Sequence, residues 1–330
     1  MRAMLAIARN TLYETMRQSV YGLILAAAAF LIALSTQIAM FTFMSSTKLV
    51  QDMGLATILL SGLFLGVLAA STVVHREIEG RTALTVLSKP VRREAFLLGK
   101  YLGIAAAVTV ATYILTILLM LAVRFGVKDT ASTKLDWGVA AGVGVCILVA
   151  LLVGFLHNYF FGRPFMTAAV WSLAAALTLA VLVFSFVDKE GKGTAFGAEI
   201  NWQVGIAGVL TLEAVLILVA AAVATATRGR AAVCLAVAAV LFVGGLVSEF
   251  AFGRFADSSI WARLGYTVFP NLQVFWVTEG LFQFKDTDKL FETPGIPADY
   301  VGMATVYALA YIGAALTAGL VLFERREVRE

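Results

Sequence analysis

The chain has 330 residues, 61% of them hydrophobic and 14% charged, with a formal net charge of +4 and a mean hydropathy of +0.90. Soluble domains run nearer ~45–50% apolar and ~25% charged, so these values exclude a soluble globular domain and leave a polytopic membrane protein. At roughly 20 apolar residues per crossing, there is room for several spans and little else, and we expect one all-α transmembrane domain over 1–330.

Residues 1–19 come first. At 100° per residue, Arg2, Arg9, Asn10, Tyr13, Glu14 and Arg17 fall on one side and Met4, Leu5, Ala8, Leu12 and Met16 on the other, the pattern of an amphipathic helix lying in the headgroup region. The apolar run that follows does not read as a cleaved leader. Its basic flank is long and contains Glu14, and the run continues through Met40 with no clear small-x-small cleavage site.

Eight spans are expected, at 20–44, 53–74, 95–123, 139–161, 165–187, 202–226, 231–247 and 301–323, interrupted by charge only at Lys100, His157 and Glu213. Short breaks carrying Gly, Pro or charge fall at 45–52, 124–138, 162–164, 188–201 and 227–230. The weakest span is 231–247, and a six-span alternative folds 202–247 into a re-entrant pair. Residues 248–300 are rich in aromatics but broken by Gly265, Pro270, Gly280, Pro294 and Pro297, so they read as short helices packed at the outer interface, with an outer cap as the functional alternative.

Between the second and third spans lies a charged hairpin, 75–100, with nine charged groups besides His75. Residues 77–87 contain several reasonable helix formers, and Pro90 suits the first turn of a new helix, where its missing N–H costs nothing. With both ends placed in the cytosol, the inner segments hold 15 of the 25 cations against 7 acids, and the outer ones 10 cations against 13 acids, as the positive-inside rule requires.

The chemistry of hydrolysis is missing. A phosphate-cradling loop needs a glycine five residues before a Gly-Lys-Ser/Thr run, and Gly191-Lys192-Gly193-Thr194 has neither that upstream glycine nor a hydroxyl directly after the lysine. A zinc protease needs two histidines four apart, whereas His75-Arg76-Glu77-Ile78-Glu79 has one. His157 reads as a hydrogen-bonded histidine near the inner end of its span, Met40 and Met44 as packing residues rather than copper ligands, and Cys146 and Cys234 as small buried hydrophobes. Glu213 is the deep acid. At mid-span it costs roughly 2.5–3.5 kcal/mol to insert, so it must face protein or water, either as a strut or as a candidate translocation-path residue. Gly62-x-x-x-Gly66 and Gly142-x-Gly144 permit close helix packing.

The run Glu77-x-Glu79-Gly80-Arg81-Thr82, then Leu87-Ser88-Lys89-Pro90-Val91-x-Arg93, then Phe96-x-x-Gly99-Lys100 resembles the loop between the second and third spans of type-two ABC exporter permeases. Pro270-Asn271-Leu272 and Phe323-Glu324-Arg325-Arg326-Glu327 are weaker echoes of the same family, so the resemblance brackets nearly the whole chain. It implies an elbow helix at 1–19, a six-span core with an extra helical pair, and a cytosolic coupling loop at 76–94. In that loop a coupling helix carrying Glu77, Ile78, Glu79, Gly80, Arg81, Thr82, Ala83, Leu84 and Leu87 would dock on a separate ATPase. It further implies a non-catalytic permease with no cofactor or metal of its own, ATP and Mg being bound by two copies of an ABC ATP-binding subunit. The permease would pair as a homodimer or heterodimer in the cytoplasmic (inner) membrane, both termini cytosolic, with no nucleic acid involved. A membrane scaffold that recruits an ATPase or other partner without transporting is the alternative.

Overall fold

A computed structural model describes residues 2–38, 46–75, 92–127, 135–227, 231–255, 259–277 and 295–324. The helices are α1 (Arg2–Arg17), α2 (Ser19–Ile38), α3 (Ser46–Ala69, continued as a π-helix over Ala70–His75), α4 (Arg93–Phe125), α5 (Trp137–Phe161), α6 (Phe165–Phe184), α7 (Trp202–Ala226), α8 (Ala231–Ala251), α9 (Ile260–Val268) and α10 (Ala298–Glu324). No strand occurs among the described residues. Eight helices, all but α1 and α9, are long and apolar enough to cross a bilayer. Helices α7 and α8 have 25 and 21 residues, about 37 and 31 Å at 1.5 Å per residue, each long enough to cross a core about 30 Å thick, which supports eight spans over the re-entrant alternative.

Three boundaries differ from the sequence reading. Residues 46–52, expected as part of a break, are helical, because Val50 and Gln51 are buried and the first turns of α3 pack on α4, where a Cβ at Gly54 would run into Leu119. Helix α4 begins at Arg93 behind an extended Arg92, two residues before the expected start of the span; Pro90 lies outside the described residues. Helix α6 stops at Phe184, where the Ser185 hydroxyl donates to the Val181 carbonyl at 2.7 Å. The chain then turns through an antiparallel bridge, Val187 with Gly193. Gly191 supplies the positive φ of 81° that a side chain would strain. Asp188 Oδ1 accepts the N–H groups of Lys192 and Glu190 at 2.9 and 2.7 Å, which holds that carboxyl below its usual pKa. The Gly191–Thr194 stretch is thus a surface turn.

At the centre stand α3, α4 and α7, each with 67% of its apolar window buried, against 17–33% for the five outer spans. Without a hydrophobic driving force inside lipid, such packing relies on small residues that let backbones approach. Gly62 and Gly66 do this, lying directly over Val215 and Val219 of α7. Of the second glycine pair, Gly142 meets the Phe184 ring while Gly144 faces open space. Cys146 and Cys234 are buried and unbridged.

At the end away from α1, Arg124 ties three helices together. Its guanidinium donates to Asp136 Oδ2 at 3.1 Å, to the Phe184 carbonyl, and to the Val187 carbonyl at 2.6 Å, while Asp136 caps α5 through the Val139 N–H. Beside it, α9 and two short 3-10 turns pack over α8 and α10. Glu249 accepts from Tyr266 and Asn271, both at 2.9 Å, and Tyr307 accepts the Asn271 N–H at 2.8 Å. Helix α9 leaves Ile260, Trp261, Leu264 and Val268 exposed, an apolar stripe suited to a membrane interface.

Candidate functional site

The residues assigned to a coupling helix, Glu77 to Leu87, lie outside the described residues, as do Met40 and Met44. What the structure places is the mount on either side of that loop.

On the leading side, α3 widens into the π-helix Ala70–His75. Ser71 and Thr72 hydroxyls both donate to the Leu68 carbonyl, at 2.9 and 2.8 Å. Such back-bonding competes with the helical ladder and loosens it, and π-turns are frequent at functional sites. The same Thr72 receives a hydrogen bond from Gln18 Nε2 at 3.2 Å. Gln18 is the one-residue bend between α1 and α2, so the elbow is pinned to the turn that leads into the loop.

On the trailing side, α4 has 33 residues, about 50 Å, and overshoots the hydrocarbon. Lys100 and Arg124 are about 36 Å apart along its axis and bracket the apolar stretch, so Arg93 to Lys100 stand at or beyond the interface. Helix α1 packs against this segment. A Cβ at Gly99 would lie 2.9 Å from the Met4 carbonyl oxygen and Ile7, and one at Gly103 would lie 2.5 Å from the Ala8 carbonyl oxygen and Thr11. The Lys100 ammonium is buried and paired with Glu14 Oε2 at 3.9 Å, with the Phe96 ring 5.8 Å away. Phe96 in turn stacks on Phe323 of α10 at 6.3 Å, and Leu97 approaches Gly319 where α10 crosses Ala224 of α7. Motion at the base of α4 is thus in direct contact with α1, α7 and α10.

The seating of α1 departs from the expected faces. Thr11 and Thr15, assigned to neither face, are buried, while Met16 of the apolar side is buried as well and Leu5 of that side is 58% exposed. Glu14, placed on the polar side, turns to Lys100. Close approach at two glycines sets the rotation of α1 about its axis, and a helical-wheel plot carries no information about a neighbour 90 residues away in sequence. The signal that was present is Gly99-x-x-x-Gly103 itself, a small-xxx-small pair around a lone cation.

Glu213 is half-buried at the middle of α7 and faces α10. Its Oε1 accepts the Thr305 hydroxyl at 2.6 Å, and Thr305 also reaches the Val301 carbonyl at 2.8 Å. Its Oε2 is buried with no partner among the described residues. Nearer the far end of the same seam, Gln203 Oε1 accepts the Ile296 N–H at 3.0 Å. His157 makes no hydrogen bond among the described residues. It lies against Phe161, ring centroids 5.2 Å apart, and faces a cavity beside α1.

The fold and the site define a multi-pass integral membrane protein in which a charged loop is mounted on the central helices through an elbow. Residues 5–162 match the family model described as ABC-2 family transporter protein. That match runs from α1 to the end of α5, includes the loop and its mount, and supports an ABC-2 type permease, the membrane component of an ABC transporter. Neither a curated protein nor a solved structure matches the chain.

Proposed function

We propose that this chain is the transmembrane subunit of an ATP-driven exporter, converting ATP hydrolysis by a separate subunit into substrate movement across the cytoplasmic membrane. The observation that carries this reading is the mount. The loop at 76–94 leaves from a π-turn pinned to the elbow at Gln18 and returns into a helix whose base touches α1, α7 and α10, so a push on the loop reaches the central helices. In this reading 77–87 forms a helix docked in a groove of the ATP-binding subunit, with Gly80, Ala83, Leu84 and Leu87 on the docked face and Glu77 and Glu79 flanking it. Ile78 packs beneath the membrane domain, and Arg81 and Thr82 complete the helix. ATP and Mg are held by two copies of the partner, and two permease chains, identical or not, form the pathway. Both termini and the loop face the cytosol.

The test is replacement of 77–87 by a Gly/Ser linker, alongside Leu84→Ala and Glu79→Gln, in the co-expressed complex. Docking interfaces concentrate their energy in a few buried anchors worth upwards of ~2 kcal/mol each. Leu84→Ala should therefore weaken co-purification of the ATP-binding subunit about tenfold or more, with Glu79→Gln nearly neutral and the linker abolishing both binding and transport. Unchanged binding and transport with the linker would overturn the reading. Retained binding with no transport-coupled ATPase activity in the wild type would favour a scaffold.

A further inference from the structure

The structure contains a cavity of about 870 Å³ between the polar face of α1 and the inner ends of α5 and α6, separate from the loop mount and from Glu213. Its lining includes Glu14 and Arg17 of α1, Arg163 in the turn, His157 and Val153 of α5 and Trp171 of α6. The volume is in the range of small-molecule sites.

Depth follows from the neighbouring sequence. Tyr159, Phe160 and Phe161, in the last turn of α5, are 68–73% exposed, and such aromatic belts settle at the level of the lipid headgroups. Arg163 follows in the turn, whose backbone is held by the left-handed Gly162 cap and by Asn158 Nδ2 donating to the Arg163 carbonyl at 2.9 Å. Val153 is about 6 Å closer to the bilayer centre than His157 on α5, and Trp171 about 9 Å beyond the start of α6. The cavity therefore carries its two arginines at headgroup depth, with Val153 and Trp171 among the residues below them.

Its lining is net cationic. Arg17 and Arg163 have no ion-pair partner among the described residues. The one carboxylate on the lining, Glu14, also approaches Lys100 at 3.9 Å. Two guanidiniums facing one space match a phosphate, to which planar Arg donors bind in forked pairs.

We propose that this groove holds an anionic phospholipid, its phosphate between Arg17 and Arg163 and the upper part of an acyl chain against Val153 and Trp171. The phosphate bridges α1 to the α5–α6 hairpin, a pair of outer helices that contacts the rest of the bundle sparsely. The apolar wall is the reason to assign a lipid rather than a free anion. The proposal does not depend on what the protein transports or on its partner ATPase.

The test uses the purified full chain in neutral detergent, without a partner. Thermal unfolding is followed with added phosphatidylglycerol, phosphatidylcholine or inorganic phosphate, for the wild type and for the Arg17→Gln, Arg163→Gln double variant. Phosphatidylglycerol should raise the unfolding temperature of the wild type above the phosphatidylcholine value, with an apparent affinity about tenfold lower in the double variant, whose unfolding temperature in phosphatidylcholine is unchanged. An undiminished phosphatidylglycerol effect in the double variant overturns the proposal. Equal protection by inorganic phosphate overturns the lipid assignment. Should the double variant not fold, phosphatidylglycerol carrying a photoreactive acyl chain gives the answer on the unaltered protein. Labelling should concentrate around Val153 and Trp171 and exceed that by the phosphatidylcholine analogue, and labelling spread evenly over the lipid-facing sides of α5 and α6 overturns the proposal.

Discussion

At Glu213 the cost of inserting an acid, roughly 2.5–3.5 kcal/mol, is offset in part by the bond from Thr305. Thr305 has one hydroxyl hydrogen and two acceptors in reach, Glu213 Oε1 and the Val301 carbonyl. An amide at 213 donates to the hydroxyl oxygen and leaves that hydrogen for Val301, so Glu213→Gln keeps these bonds and removes the ionisable group. We expect the variant to fold with unchanged thermal stability and to lose transport by about tenfold or more, equivalent to ~1.4 kcal/mol in the limiting barrier. The measurement is transport by the assembled complex in membrane vesicles. Full transport would make Glu213 a strut between α7 and α10. Three polar ties, Glu213 with Thr305, Lys100 with Glu14 and Arg124 with Asp136, each join different helices.

Among the elements, α1 depends most on glycine. A methyl group at Gly103 would stand 2.5 Å from a backbone oxygen of α1, which cannot swing aside as a side-chain tip can. Gly103→Ala should therefore push α1 off α4 and lower the stability by about 1–3 kcal/mol, the usual cost of overpacking. Gly144→Ala is the matched control. Nothing lies within 4 Å of its added carbon, and helix propensity alone favours it by up to about 1 kcal/mol. Thermal unfolding of the two variants in the same detergent makes the comparison. If Gly103→Ala were as stable as Gly144→Ala, α1 would not be seated on α4 as described. Displacing α1 also strains the Gln18–Thr72 bond, so the same variant should loosen the π-turn at the head of the loop, seen as faster proteolysis within 76–91.

For the whole molecule, eight antiparallel crossings put α1, the loop mount and the C-terminal end of α10 at one end of the bundle. In the proposed orientation that end faces the cytosol, as the positive-inside rule expects from the charge asymmetry. Single cysteines at Arg92, Arg228 and Arg326 should react only with reagent on the inner side, and those at Lys128, Lys189 and Lys285 only with reagent outside. Background is low, because Cys146 and Cys234 are 8% and 0% exposed. External labelling at 92 or 326 would overturn the orientation and with it the ATPase-docking reading.

The sequence by itself determined where the apolar runs, the amphipathic lead-in and the charged loop lie, because each depends on local quantities: apolar run length, charge and 100° periodicity. It left eight spans and a six-span alternative both open. It did not determine which spans are central. Helices α3, α4 and α7 are apolar all round, as are the outer ones, so no periodic face marks the neighbour, and only tertiary packing separates 67% from 17–33% burial. The helical start of α3 was illegible for a related reason, since Lys48 and Asp52 look like loop until Val50 and Gln51 are seen packed within the bundle. Glu213 was recognisable as costly from composition alone. Its partner Thr305 was not, nor was Glu14 as the partner of Lys100, because a hydrogen bond or ion pair between residues about 90 apart leaves no trace in either one's local sequence.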